Sequence, residues 1–219
     1  MILLIDTAQE TGTIAISKDG RILFSEENKI AKDHAAWLHP AINRLLDKTK
    51  KTVRDLDAVS VIAGPGSYTG LRVGMATAKG LCYALKIPLI TQNTLRVMAE
   101  SLRSQADEKK CWLAPMIDAR RDEVFTALFK TDMEEIIPAQ AMILDKTSFE
   151  SELSRNPILF FGSGADKWEK MTNSNSAIFE SQYNMIQAFT RLTQEDFDAA
   201  KWSDPVYAEP VYLKEFFSY

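Results

Sequence analysis

Cysteine and histidine are the scarcest reactive residues in this chain of 219, with two of each. Cys82 falls inside an apolar stretch and Cys111 opens another, so they read as reduced core thiols and not as a disulfide framework. His34 and His39 lie five apart on one expected helix and therefore on different faces, which argues against a shared metal. Positive charge is also short: 26 Lys and Arg against 30 Asp and Glu leave a formal charge of −4. No overall basic field draws nucleic acid or an anionic membrane, and nucleic acid is expected to be held by a partner. The opening apolar run Ile2-Leu3-Leu4-Ile5 stops at Asp6, too short for a signal peptide or a membrane span. The expectation is a cytoplasmic globular protein with no membrane partner.

What is present is enough apolar material, 46% hydrophobic with 10% aromatic, for one large domain or two of about 100 residues. The densest information lies between Val59 and Gly74. Val59 to Ile62 is a short β-branched run of the kind buried on both faces of a sheet. Gly64-Pro65-Gly66 then turns the backbone with little bulk, and Ser67 or Thr69 can cap a helix running to about Leu85.

That helix has almost no polar face, and a helix apolar all round is covered on two sides. Gly74 and Gly80 in its interior each cost about 1 kcal/mol against alanine. The rows Gly70, Gly74, Ala78 and Ala76, Gly80, Ala84 are small at i, i+4 spacing. Close backbone approach offsets the cost, from the sheet on one side and a partner's helix on the other. Gly74→Leu or Ala76→Trp is accordingly expected to weaken self-association while leaving the fold largely intact.

Along the chain, Ile2 to Asp6, Thr13 to Ser17 and Arg21 to Glu26 alternate like strands, the last two joined at Lys18-Asp19-Gly20. Asp33 is placed to cap a helix to about Lys48. The strand at Val59, the long helix, a strand Ile87 to Thr91 and a helix from Thr94 follow. The order is βββαβαβ, ended by the polar stretch Ser101 to Lys110. It starts again with strands Trp112 to Asp118, Glu123 to Lys130 and Ala139 to Leu144, and a helix after Thr147. Strand Ile158 to Phe161, a Gly162-Ser163-Gly164-Ala165 turn into a short helix, a strand at Ala177 and a helix Gln187 to Lys201 complete it. The expected architecture is α/β, a duplicated ribonuclease-H-like fold of two βββαβαβ lobes, 1–104 and 105–204. A tail, 205–219, is expected to pack on the first lobe, and a cleft is expected between the lobes.

The turn at Gly64 is not a phosphate loop of the Walker type, because Leu71 follows Gly70 where lysine is needed. It is not a dinucleotide fingerprint either, because its third glycine comes one residue late. No nucleophile triad or paired-carboxylate pattern stands out. The basic run Arg44, Lys48, Lys50, Lys51, Arg54 reads as a solvated helix end or as a phosphate contact.

With these segments in order, the chain resembles the TsaB (YeaZ-type) family, within the larger group of actin-like ATPases, sugar kinases and Hsp70-type chaperones. The resemblance is carried by Ile5-Asp6-Thr7, by His34 to Leu38 with Pro40-Ala41-Ile42, and by Gly64-Pro65-Gly66-Ser67-Tyr68-Thr69-Gly70-Leu71-Arg72. Thr77-Ala78-Lys79-Gly80-Leu81, Ile87-Pro88-Leu89, Asp118-Ala119-Arg120-Arg121-Asp122-Glu123-Val124 and Pro210-Val211-Tyr212-Leu213-Lys214 extend it over nearly the whole chain. It implies a part in making N6-threonylcarbamoyladenosine at position 37 of transfer RNA. The implied role is a non-catalytic subunit that supports a TsaD-like transferase together with a TsaE-like P-loop ATPase, with a homodimer when alone and tRNA met indirectly through the complex. Family members pair through their first two helices. The implied contact residues here are His34, Leu38, Ile42, Gly70, Arg72, Val73, Gly74, Ala76, Lys79, Gly80 and Tyr83.

In the catalytic paralogue two histidines four apart hold a metal, and here Thr94 and Met98 stand where they are expected, so neither a metal nor a catalytic residue is expected. No cofactor is expected for the isolated chain, and a nucleotide only in the complex. The weak cleft candidates for one are Asp6, Thr7 and Gly12 in the first turn, Gly162 and Gly164 in the last, and Arg120 and Arg121. That middle turn has no glycine and would crowd a phosphate, although arginine binds anions by itself; the plain alternative is a solvated hairpin. The rival functions are an independent ATPase or small-molecule kinase working in the cleft, and, more remotely, metal-dependent proteolysis.

Overall fold

Strands β1 (Ile2–Asp6) and β4 (Ala58–Gly64) are buried at every residue, the pattern of central strands covered on both faces. The structure, a computed structural model, describes residues 1–30 and 33–214. In it β1 and β4 lie at the heart of a five-stranded sheet of order β3-β2-β1-β4-β5, with β2 (Gly12–Lys18), β3 (Arg21–Asn28) and β5 (Leu89–Asn93). The first three strands are antiparallel neighbours, and β1, β4 and β5 run parallel. Asp19 and Gly20, both at positive φ, make the tight turn between β2 and β3.

One face of this sheet is covered by α1 (His34–Thr49) and α2 (Tyr68–Leu85), with Leu38, Leu45, Met75 and Cys82 on Ile5, Ile14, Val59 and Val61. Each fully buried leucine here contributes about 1.5–3 kcal/mol. Asp33 stands at the start of α1, but its side chain makes no capping bond. Ser67 does cap α2, its Oγ accepting from Gly70 N at 3.3 Å. The other face is covered by α6 (Met185–Asp198), through Phe197 against Ile2, Ala58 and Ile90 and a buried hydroxyl pair, Ser60 with Thr193 at 2.8 Å.

The second sheet runs β10-β9-β6-β7-β8, from β6 (Trp112–Asp118), β7 (Glu123–Phe129), β8 (Glu135–Ile143), β9 (Ile158–Phe161) and β10 (Ala177–Glu180). Taken from its other end, its order repeats that of the first, as a duplicated fold requires. Helix α3 (Thr94–Lys109) covers one face with Leu95, Met98, Ala99, Leu102 and Ala106. The short α4 (Glu150–Leu153) and α5 (Ala165–Glu169) lie on the other, around Phe149, Phe160 and Trp168. Phe160 also stacks on Phe179, ring centres 5.6 Å apart.

The described residues form two compact units, Met1–Thr94 with Ile186–Val211, and Leu95–Met185 with 212–214. The expected boundary at residue 104 therefore falls inside α3. The polar stretch from Ser101 does not end that helix, because Leu102 and Ala106 continue the buried stripe of Leu95, Met98 and Ala99 at helical spacing. Helix α6, written at the end of the second half, belongs to the first unit. The tail packs on that unit through Lys79 Nζ, which donates to Ala208 O at 2.8 Å, and Val211 N, which donates to Ala63 O at 2.7 Å. Lys214 pairs instead with Glu123 of the second unit, and residues 215–219 of the expected tail lie outside the described residues.

Candidate functional site

The turn after β4 is seated on the end of β1. Ser67 N donates to Ala8 O at 2.7 Å, and Thr7 Oγ1 donates to Gly70 O at 2.7 Å. A β-carbon on Gly66 or Gly70 would collide with the carbonyls of Ala8 and Thr7, and one on Gly74 with Thr7 Oγ1. These glycines serve close approach within the chain, so the loop that resembled a phosphate cradle is filled by backbone.

Asp6 lies under this loop, 7% exposed. Burial pushes its carboxyl up to about 6, although Ala8 N, donating to Oδ1 at 2.9 Å, and the charge of His34 act the other way. His34 is also buried; its Nε2 donates to Gln9 O at 2.9 Å, while Nδ1 is buried without a hydrogen-bond partner among the described residues. Gly12 allows the ring in, for a β-carbon there would stand 2.8 Å from Nδ1. Trp37 packs edge-on to the same ring and donates Nε1 to Glu26 at 3.1 Å. Arg44 holds the Glu26 carboxyl below its ordinary range.

The expected partner residues separate into two sets. His34, Leu38, Ile42, Gly70 and Gly74 are buried inside the first unit and present nothing to a partner. The expectation that Gly74→Leu would spare the fold is therefore corrected: a leucine there would drive into Thr7, Val61 and Ile5. Arg72, Ala76, Gly80 and Tyr83 are exposed, with Val73 and Lys79 half-buried. Nothing lies within 4 Å of a β-carbon built on Gly80, Tyr83 is 81% exposed, and Ala84 extends the row. Ala35, Ala36, His39 and Pro40 are exposed on neighbouring α1, where His39 Nε2 lies 3.4 Å from Thr77 Oγ1. Arg72 stacks over Tyr68, 3.9 Å from its ring centre. Missed in the sequence were Pro205 and Val206, which with Lys79, Gly80 and Tyr83 line a shallow groove of about 310 Å³. Their only signal was the apolar, proline-broken composition of the tail.

In the second unit Gly162 (φ 100°) and Gly164 are filled in the same way, by Met116 O and by Val124 Cγ1. Asp118 accepts from Lys167 Nζ at 2.6 Å and from Arg120 N at 2.6 Å; burial is the largest influence on its carboxyl and raises it, but these partners outweigh it and leave the group low. Arg120 and Arg121 are exposed at the tip, both at positive φ, a conformation costing of order 1–2 kcal/mol for each such residue. Thr94 Oγ1 donates to Pro65 O at 2.6 Å, and Met98 is buried in the second core, so neither offers a free metal donor. Among the described residues no three His, Cys, Asp or Glu side chains converge as metal ligands, and no helix is long and apolar enough to cross a membrane.

A family model described as TsaD, tRNA N6-adenosine threonylcarbamoyltransferase, matches residues 26–196. That breadth places the chain in the TsaD-type group of this duplicated fold. The tRNA threonylcarbamoyladenosine biosynthesis protein TsaB of Bacillus subtilis (strain 168) is 33% identical over 165 residues, 74% of this chain and 70% of that protein. The protein of the same name from Escherichia coli (strain K12) is 27% identical over 97% of this chain and 94% of its own length. The chain belongs to the TsaB family. In fold, YeaZ from Pseudomonas aeruginosa superposes with a TM-score of 0.80 at 24% identity, covering 97% of this chain and 99% of that one.

Proposed function

We propose that this protein works in the biosynthesis of N6-threonylcarbamoyladenosine in tRNA, as a subunit that does no transfer chemistry itself and docks a TsaD-type transferase through the outer face of α1 and α2. The relatives' shared name supports the pathway. The observation that carries the docking face is the exposed row Ala76, Gly80 and Ala84 beside Tyr83: a strip of nearly bare helix at the rim of a groove, where a partner's helix can approach to backbone distance. The same face serves self-association when the transferase is absent, and a TsaE-type ATPase and tRNA join through the transferase. The rival ATPase reading loses its main support, since the glycines that suggested a nucleotide are filled by the chain's own atoms.

Gel filtration of the purified chain with its cognate transferase tests this. A complex is expected, and Ala76→Trp or Gly80→Trp should abolish it while leaving the melting temperature of the isolated chain within a few degrees of the parent. No complex with the parent chain, or an undiminished complex with both variants, would sink the proposal. Turnover of ATP by the chain alone would restore the rival.

A further inference from the structure

The hairpin tip joining β6 to β7 has no part in the docking face. Arg120 and Arg121 both take left-handed backbone there, φ 70° and 51°. The turn is closed by Glu123 N donating to Arg120 O at 3.2 Å and Ala119 N donating to Glu123 O at 3.0 Å. Left-handed positions in turns favour glycine, asparagine or aspartate, because a β-carbon at positive φ is strained. The same chain uses Asp19-Gly20 for the β2–β3 turn. Strain of this kind persists where the side chains it displays are needed.

The tip is also held rigid and left charged. Arg120 N is tied to Asp118 Oδ1 at 2.6 Å, and Lys167 Nζ bridges that carboxylate at 2.6 Å and Glu123 O at 3.1 Å. The two nearest acids are thereby engaged by other cations, Asp118 by Lys167 and Glu123 by Lys214. Asp122, exposed on the same turn, has its carbonyl bound by Leu144 N at 2.8 Å and keeps its own carboxylate at the surface, so the tip sets two guanidinium charges against one free acid. Among the described residues neither guanidinium has a hydrogen-bond or ion-pair partner; Arg120 only adds its charge to the field at Asp118.

We propose that Arg120 and Arg121 bind backbone phosphates of an RNA strand, which on the proposed function is the tRNA substrate of the complex, so that this chain touches the RNA directly at one point. Guanidinium forks take phosphate oxygens in pairs, and two on successive residues of a rigid turn can grip adjacent phosphates. An exposed tip meets a strand lying across it, whereas a free nucleotide needs walls, and the flanking glycine turn is filled by Met116 O and the Val124 side chain. With a net charge of −4 the chain as a whole does not attract RNA, so the contact fixes orientation and the bulk of the affinity comes from the partner.

Fluorescence anisotropy with a fluorescein-labelled tRNA transcript, titrated across salt concentrations, tests the proposal on the chain alone and on its complex with the transferase. Arg120→Ala with Arg121→Ala should weaken binding roughly three- to tenfold and lower the salt slope by about 2, one unit for each phosphate that is no longer neutralised. Arg120→Asn with Arg121→Gly separates binding from structure, since it relieves the turn: it should raise the melting temperature and still lose the affinity. Unchanged affinity and slope in both variants, or displacement of the RNA from the parent tip by millimolar ATP, overturns the proposal. Failure to form the complex would strike at the proposed function instead, and the measurement on the chain alone would still report on the arginines.

Discussion

The two sheets share one strand order and spend their helices differently. After its third strand and after its fourth, the first sheet carries α1 of 16 residues and α2 of 18. At the same places the second carries α4 of 4 residues and α5 of 5. In the second unit the volume is filled by aromatic rings instead, Trp168 and Phe149 lying 5.9 Å apart and Phe160 and Trp168 6.1 Å apart. A core closed by rings needs little helix. The long helices of the first unit also present an outward face, in which the small row Ala76, Gly80 and Ala84 lies among Arg72, Tyr83 and His39. The two units share a scaffold, and the longer helices of the first supply the surface on which we place the function.

The difference can be broken at its strongest point first. Trp168→Ala should destabilise the second unit by about 4 kcal/mol, since no long helix is there to collapse into the hole, and denaturant unfolding should show it. Asp6→Asn comes next and acts in the first unit. Below about pH 4 the carboxyl is protonated both unfolded and folded, so its burial is harmless there. As pH rises from about 4 to about 6 the unfolded chain gives up this proton while the folded protein keeps it, so stability is lost across that window and the loss is complete once the buried group also ionises. The asparagine variant should match the parent in acid and gain up to about 3 kcal/mol at neutral pH, read from melting across that range. A gain independent of pH would mean that Asp6 is not the group titrating.

The two smallest effects compare the faces of α2 with one substitution. Gly70→Ala should cost about 2 kcal/mol, because its methyl meets the Thr7 carbonyl and the turn must lift from β1. Gly80→Ala should stabilise the isolated chain by about 1 kcal/mol through helix propensity alone, since its methyl meets nothing. Thermal unfolding of the pair measures both, and equal signs would dissolve the distinction between an inner and an outer glycine row.

Much of this was legible in the sequence. The repeated βββαβαβ order showed in alternating apolar runs, and the tight turn at Gly64 in the bare sequence of strand, glycine and cap. The doubled small-residue rows of α2 were visible too, but a row of small residues looks the same whether it faces a sheet or solvent. Gly70 and Gly74 from those rows, and Leu38 and Ile42 from the family resemblance, were expected at an interface and are buried in the first unit. Composition also read the polar stretch Ser101 to Lys110 as the end of the first lobe, while Leu102 and Ala106 within it continue the buried stripe of α3.

Local pattern by itself determined the elements, their order, the family and the absence of a Walker loop, because period, cap and turn chemistry are properties of neighbours in the chain. Only the tertiary structure decided that α3 completes the second core and α6 the first, that Thr7 and Ala8 fill the glycine-rich turn, and that Gly80 is the glycine left bare. Those outcomes depend on which residues distant in sequence come within contact distance, and packing alone sets that.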